Sequence, residues 1–265
     1  MTYKELYKDI KKLGDDDAAY CRYLLDRSLP ELRQDESGVP EDTAAKHAEC
    51  VKRLRDGEPL QYIFGYAPFY DTELYCGPGV LIPRFDTEIL VEEAIKTLPQ
   101  NAYFADLCCG TGCIAAAVLK HRPDTAALCL DISDTALSYT ERNLGKYGLT
   151  DRAEIRKFDV FSSWDSLPPL DAILCNPPYI NEKDMKSLPE NVKKEPFEAL
   201  YGGKDGLDFY RRVLSASKGR FRRGTRIIFE IGYDQGAALK ELCPGCEIKK
   251  DYSSNDRICI IRGSE

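Results

Sequence analysis

"FADLCCGTGCIAAAV", residues 104–118, decides how this chain folds. Apolar residues run into Asp106, glycines follow at 110 and 112, and an alanine-rich helical stretch starts at once. A strand that passes into a helix through a glycine loop brings backbone N–H groups close to a ligand at the helix N-terminus.

Outward from this stretch, short apolar runs alternate with helical segments from Asp86 onward, the mark of a parallel sheet covered on both faces. The runs are "AYFADL", "TAALCLD", "AEIRKFD", "DAILCN", "RIIFEI", "CEIKKD" and "RICIIR", with helices after Gly112, Asp134, Gly206 and Asp234. The last two runs leave no room for a helix between them, so the final strand is expected to lie antiparallel to the others. The first sixty residues read as helices over "YKELYKDIKKL", "DAAYCRYLLDRSL" and "TAAKHAECVKRLRDG", with acidic starts and a glycine stop. Alternation in "LQYIFG" and "FYDTELY" predicts a hairpin leading out of them. The expected fold is α/β: a helical domain over residues 1–58, a β-hairpin linker over 59–85, and a Rossmann-like seven-stranded domain over 86–265. Residues 181–204 read as one long irregular loop, and such loops beside strand ends are commonly functional.

With 265 residues, 43% of them hydrophobic, the chain can build a sizeable core. Its net charge of −7 argues against wrapping a nucleic-acid duplex, which needs a dense Lys/Arg surface. Eleven cysteines, an odd number, are scattered along the length, and "MTYKELYKDIKKLG" is too charged for a signal peptide. Free thiols in a reducing cytoplasm are therefore expected, with no membrane span and no metal site. "CPGC" at 243–246 lacks a second pair at zinc-like spacing and reads as a turn. The basic stretch "SKGRFRRGTR" (217–226) reads as solvated surface.

Asp106 ends the first strand of the sheet and Asp131 the second. Asp131 suits both hydroxyls of a ribose; alternatively it only caps the helix "ISDTALSYTERNL". Gly110, Gly112 and Ala115 also satisfy GxGxxA, the dinucleotide fingerprint. A carboxylate ahead of the loop repels a pyrophosphate but suits the α-amino group of a methionine moiety, which favours S-adenosylmethionine. Asp159 and Val160 are then placed for the edge and face of adenine. The cluster Cys108, Cys109 and Cys113 at a helix start predicts a thiol of lowered pKa.

The fourth run ends in "AILCNPPYI" (172–180). Pro177 and Pro178 fix their own φ and keep the residues before them extended, so the tip is stiff. An amide or aryl-amine nitrogen is a poor nucleophile because its lone pair is delocalised. Asn176 Oδ1 and the Pro177 carbonyl can accept its N–H bonds, and the Tyr179 ring can stack on a flat group. With the glycine loop, the quartet resembles the amino-methyltransferase signature [ND]PP[YFW], and the resemblance implies an acceptor among adenine, RNA guanine and glutamine side chains.

Further segments narrow that choice: "GEPLQYIFG" (57–65), "LIPRFDTEILVE" (81–92), "DLCCGTGCIA" (106–115), "LDIS" (130–133), "NPPYI" (176–180), "EPFEALYGGKDGLDFYR" (195–211) and "FEIGYDQG" (229–236). Through them the chain resembles the protein-(glutamine) methyltransferases that modify class-I peptide-chain release factors, the PrmC or HemK family. The resemblance implies a class I S-adenosylmethionine-dependent domain that methylates the glutamine of the release factor's Gly-Gly-Gln loop. It implies substrate contacts from Asn176, Pro177, Pro178, Tyr179 and Phe85. It implies cofactor contacts from Cys108, Cys109, Gly110, Thr111, Gly112, Asp131, Asp159 and Val160, joined by Asp106 and Asn176. A monomer is expected, with the N-terminal domain recognising substrate and no stable nucleic-acid partner. Cys108 and Cys109 stand where the family usually has glycine and threonine, narrowing the room beside the methionine moiety, and Phe85 where it usually has proline. A sister family acting on a ribosomal large-subunit protein, a nucleic-acid base methyltransferase, and a non-catalytic cofactor-binding module are the alternatives.

Overall fold

The computed structural model describes residues 1–12, 17–218 and 224–263. It forms two units, Met1–Gly65 with Glu190–Lys194, and Tyr66–Pro189 with Glu195–Glu265. The middle of the basic stretch 217–226 and the start of the acidic cluster at Asp15 lie outside the described residues.

The first unit contains α1 (Tyr3–Ile10), α2 (Asp17–Leu25), α3 (Leu29–Arg33), α4 (Glu41–Arg55) and α5 (Leu60–Phe64). Thr2 and Glu5 cap α1 reciprocally: the Glu5 N–H donates to the Thr2 hydroxyl at 3.3 Å, and the Thr2 N–H to Glu5 Oε2 at 2.8 Å. Leu6 and Ile10, four apart, bury one face against Tyr20, Leu32 and Leu60. The strand reading of "LQYIFG" is wrong. Pro59 precedes a single helical run there and Gly65, at φ 78°, stops it. Leu60, Ile63 and Phe64 then reach the same cluster, a helical rather than an alternating set.

In the second unit a hairpin of β1 (Tyr66–Phe69) and β2 (Thr72–Tyr75) comes first. It is part of this unit rather than a free linker: Phe69 and Leu74 lie in its core. Asn143 accepts from the Tyr75 N–H at 2.7 Å and donates to the Tyr75 carbonyl at 3.0 Å. A helix that the sequence reading missed, α6 (Glu88–Thr97), follows a 3-10 turn at Phe85–Thr87.

The sheet then unfolds as expected: β3 (Tyr103–Leu107), α7 (Cys113–His121), β4 (Ala126–Asp131), α8 (Asp134–Lys146), β5 (Ala153–Lys157) and β6 (Ala172–Cys175). The connection after β6 is not irregular throughout, since it holds the short helices α9 (Glu182–Met185) and α10 (Phe197–Leu200). After it come α11 (Asp208–Ser217), β7 (Arg226–Glu230), α12 (Gly236–Leu242), β8 (Glu247–Lys250) and β9 (Asp256–Arg262). "CPGC" is the turn between α12 and β8, with the Cys246 N–H on the Cys243 carbonyl. Strand order is β5-β4-β3-β6-β7-β9-β8, and β9 alone runs against the rest.

Alternate residues of the central strands feed two cores, which is why those strands are largely apolar. Phe104, Cys129, Leu174 and Ile228 face one core with α6 and α7. Leu107, Leu130, Ile173 and Phe229 face the other with Tyr210 and Val213 of α11. Each such buried side chain stabilises by roughly 1.5–3 kcal/mol. Burial on both faces therefore outweighs local strand propensity in holding β3, β6 and β7 at the centre.

Candidate active site

Strand order reverses between β3 and β6, and open parallel sheets take ligands at the carboxyl ends beside such a reversal. The register sets Leu107 between Leu130 and Cys175. Cys108, Asp131 and Asn176, the next residue of each strand, consequently emerge together.

The loop after β3 is tied to its neighbour by backbone bonds. The Cys109 N–H reaches the Leu130 carbonyl at 3.1 Å, and the Gly110 N–H reaches Asp131 Oδ2 at 2.9 Å. Cys108 has φ 62°, in the left-handed region that favours glycine. Gly112, at φ 74°, has no space for a side chain: a Cβ there would lie 2.9 Å from Thr140 Cγ2. Gly110 is the reverse case, since its Cβ would meet nothing within 4 Å.

Asp131 is more than a helix cap. Ser133 caps α8, its hydroxyl accepting from the Ala136 N–H at 3.3 Å. The carboxylate of Asp131 is gripped instead by the N–H groups of Gly110 and of Ser133, the latter at 2.9 Å. Burial raises its pKa against these bonds. Asp106 is fully buried beneath the loop; Oδ2 accepts from the Ala115 N–H at 3.0 Å. Its Oδ1 has no hydrogen-bond partner among the described residues. Burial pushes this carboxyl up to about 7, the Ala115 bond opposing and the Asp131 charge reinforcing.

A cavity of about 460 Å³ opens here. Of the residues singled out in the sequence, Cys108, Gly110, Asp131, Asp159, Val160, Asn176 and Pro178 line it. Asp106, Cys109, Thr111, Gly112, Pro177, Tyr179 and Phe85 are not on its surface. Cys109 is buried with Sγ 3.4 Å from the Thr140 hydroxyl, and the Thr111 carbonyl accepts from Asn143 at 2.9 Å. Phe85 is 73% exposed at the start of its 3-10 turn. Asp159 bonds the Phe161 N–H at 2.8 Å, shaping its own turn. Aromatic lining that sequence reading missed comes from Phe161 against Phe209 and from Phe197 stacked on Tyr201, each pair with ring centroids 5.0 Å apart. The motif "EPFEALY" was visible, but not that its rings close on strands placed earlier in the chain.

The expectation of a thiol of lowered pKa fails. Cys108, Cys109 and Cys113 are all pushed up; a hydrogen bond with Cys175 is the largest cause for Cys108, and burial for the other two. Beside buried Asp106, a thiolate finds no stabilising charge.

The Asn176 turn is built from several directions. The Asn176 side-chain amide donates to the Thr87 hydroxyl at 3.1 Å, and Thr87 donates to Glu230 Oε2 at 2.5 Å. The Tyr179 hydroxyl donates to Glu230 Oε1 at 3.3 Å. Gly202 lies against the turn so closely that a Cβ would be 2.6 Å from Tyr179 Cα. The side-chain amide of Gln235 donates to the Tyr179 carbonyl at 3.1 Å. Sequence reading missed Thr87 and Glu230 as site residues. The signal for Glu230 was present, because a carboxylate follows the apolar run Ile227–Phe229 and ends β7, as Asp131 ends β4.

These features fit S-adenosylmethionine. The space at Gly110 admits a ligand against the loop, Asp131 presents a held acceptor to the cavity, and the carboxyl of Asp106, with one oxygen unpartnered among the described residues, adds from beneath the loop a charge that favours a cationic group.

Comparison with known proteins agrees. The family model "Methyltransferase small domain" matches residues 84–200. The release factor glutamine methyltransferase of Clostridium botulinum is 36% identical over 84% of this chain and 78% of its own length. That of Aquifex aeolicus is 33% identical over 99% of this chain and 96% of its own. The hMettl16 catalytic domain, solved with a MAT2A 3'UTR hairpin, shares the fold at 17% identity, with a TM-score of 0.55 over 86% of this chain and 84% of that one. On sequence shared with such relatives along nearly its whole length, the chain belongs to the release factor glutamine methyltransferase family.

Proposed function

We propose that the chain transfers a methyl group from S-adenosylmethionine to the side-chain amide nitrogen of the glutamine in the Gly-Gly-Gln motif of class-I peptide-chain release factors. The observation that carries this reading is the meeting of Asn176 with Gly110 and Asp131 in one cavity. The helical unit is the proposed recognition element for the release factor, and the protein is proposed to act as a monomer in the cytoplasm. Free thiols at all eleven cysteines suit a reducing compartment, and among the described residues no helix is long and apolar enough to cross a membrane.

Asp131 would hold the ribose hydroxyls, Asp106 the ammonium, and Val160 with Asp159 the adenine. When bound, S-adenosylmethionine supplies an electrophilic methyl group on a positively charged sulfur. The chain's own residues have to make an amide nitrogen nucleophilic. Asn176 Oδ1 and the Pro177 carbonyl accept its two N–H bonds, which turns the nitrogen lone pair out of the hydrogen-bonded plane, while Tyr179 flanks the flat carboxamide. Orientation of this kind supplies several kcal/mol, up to roughly 7–11 in good cases. No strong base is needed, because the methylated nitrogen is acidic and loses its proton to water.

Incubation with labelled S-adenosylmethionine and four acceptors tests the reading: a release factor, its Gln→Ala loop variant, a ribosomal large-subunit protein and ribosomal RNA. Label is expected on the intact release factor alone. Label on RNA or the ribosomal protein, or equal label on the Gln→Ala variant, would overturn it.

A further inference from the structure

Asn176 has two chemically different ends, and only one is useful. Its Oδ1 must face the substrate N–H; turned by half a revolution, the side chain would offer donors to donors. Nothing in the backbone of a proline-braced turn decides this, since the two orientations have nearly the same shape. The buried groups behind Asn176 do decide it. Glu230 is 1% exposed and Thr87 is 1% exposed, so neither has water as an alternative partner.

An ionised carboxylate only accepts hydrogen bonds, so the Thr87 hydroxyl, 2.5 Å from Glu230 Oε2, must give its single hydrogen there. The lone pairs of the same hydroxyl then face Asn176, which must answer with its NH₂. Glu230 Oε1 also takes the Tyr179 hydroxyl, so one carboxylate orders both ends of the quartet. We propose that Thr87 and Glu230 are positioning residues for methyl transfer, a donor relay that locks the Asn176 amide with Oδ1 toward the substrate. This rests on the functional reading above for its consequence in turnover, but the relay itself concerns only this chain.

Protonation would reverse the relay. A protonated Glu230 can donate to Thr87, whose hydrogen is then free for Asn176 Oδ1, and the amide turns over. Burial pushes the Glu230 carboxyl up to about 7; the Thr87 bond, the Arg257 guanidinium and the Tyr179 bond lower it, and Asp86 raises it. The Glu230 charge in turn raises the Cys113 thiol and the Tyr210 phenol. Arg257 is shared, at 3.1 Å each, with Asp86 and Asp251, so it does not neutralise Glu230 alone.

The test compares wild type with Thr87→Val, Thr87→Ser and Glu230→Gln. Thr87→Val should lower kcat by about 10²-fold, the scale of a small misplacement at a reacting group, with cofactor affinity by calorimetry within a few fold. Thr87→Ser, which keeps the hydroxyl, should recover most of the rate. Wild-type turnover should fall as pH drops through neutrality, and Glu230→Gln should lack that acid limb. Independently of any substrate, the Asn176 side-chain NH₂ resonances of ¹⁵N-labelled protein should shift with a midpoint near neutral pH in wild type but not in Glu230→Gln. A Thr87→Val enzyme with wild-type kcat overturns the relay, as does an Asn176 amide that titrates identically in Glu230→Gln. If wild type methylates no release factor, the functional reading falls and the amide resonances alone judge the relay.

Discussion

At the residue scale, the roles proposed for the side chains at the strand ends can be separated by single substitutions. On the proposed mechanism, Asn176→Ala removes an acceptor from the reacting nitrogen but little from the cofactor. Turnover should therefore fall by at least about 10²-fold while cofactor affinity stays within a few fold, as single-turnover assays and calorimetry would show. Asp131→Ala removes a charged acceptor worth roughly 1.5–3 kcal/mol, so calorimetry should record cofactor affinity about ten- to a hundredfold weaker; unchanged affinity would refute the ribose role. Cys108 takes a conformation, φ 62°, in the left-handed region that favours glycine. Cys108→Gly should thus fold and bind cofactor at least as well as wild type. Cys108→Val, β-branched, should lose about 1–2 kcal/mol in a denaturant titration.

At the scale of elements, the Asn176 turn is only as rigid as what packs on it. The Gly202 N–H donates to the Ile180 carbonyl at 2.9 Å, and the Ile180 N–H to the Leu200 carbonyl at 2.9 Å, so α10 and the turn are laced backbone to backbone. Gly202→Ala would press a methyl onto main-chain atoms that cannot rotate away. An overpacking cost of about 1–3 kcal/mol and a kcat loss of about 10²-fold are expected together. A variant with full activity and stability would show the turn to be free of that support. That lacing has no counterpart in the sequence, where residues 181–204 read as irregular. Proline, glycine and charged residues dominate the segment, and its helices are too short for a periodic signal.

At the scale of the molecule, the two buried carboxyls pushed up to about 7, Asp106 and Glu230, tie stability to pH. Each titrates near 4 when unfolded and near 7 when folded. The stability each contributes is fully present below its unfolded value and is lost as pH rises through the folded one. His47, lowered by burial, acts in the opposite sense only below its ordinary value of 6.5. Between pH 7.5 and 6.5 the ligand-free protein should therefore gain about 1 kcal/mol, measured as a rise in the urea midpoint. A flat or falling midpoint would mean that these carboxyls titrate at ordinary values.

Local pattern alone was enough for the sheet, its antiparallel last strand and the glycine loop between β3 and α7. Their signals, apolar runs of strand length and glycines at a strand end, are contiguous in the chain. The quartet at 176–179 was legible for the same reason. Tertiary structure decided what depends on distance in sequence: that Thr87 and Glu230, 143 positions apart, stand behind Asn176, and that Phe197 and Phe209 wall the cavity. It also made "LQYIFG" a helix, because three of its side chains fall on one cluster only in that form. Hydrogen-bond direction and burial are properties of neighbours in space, and a linear pattern does not contain them.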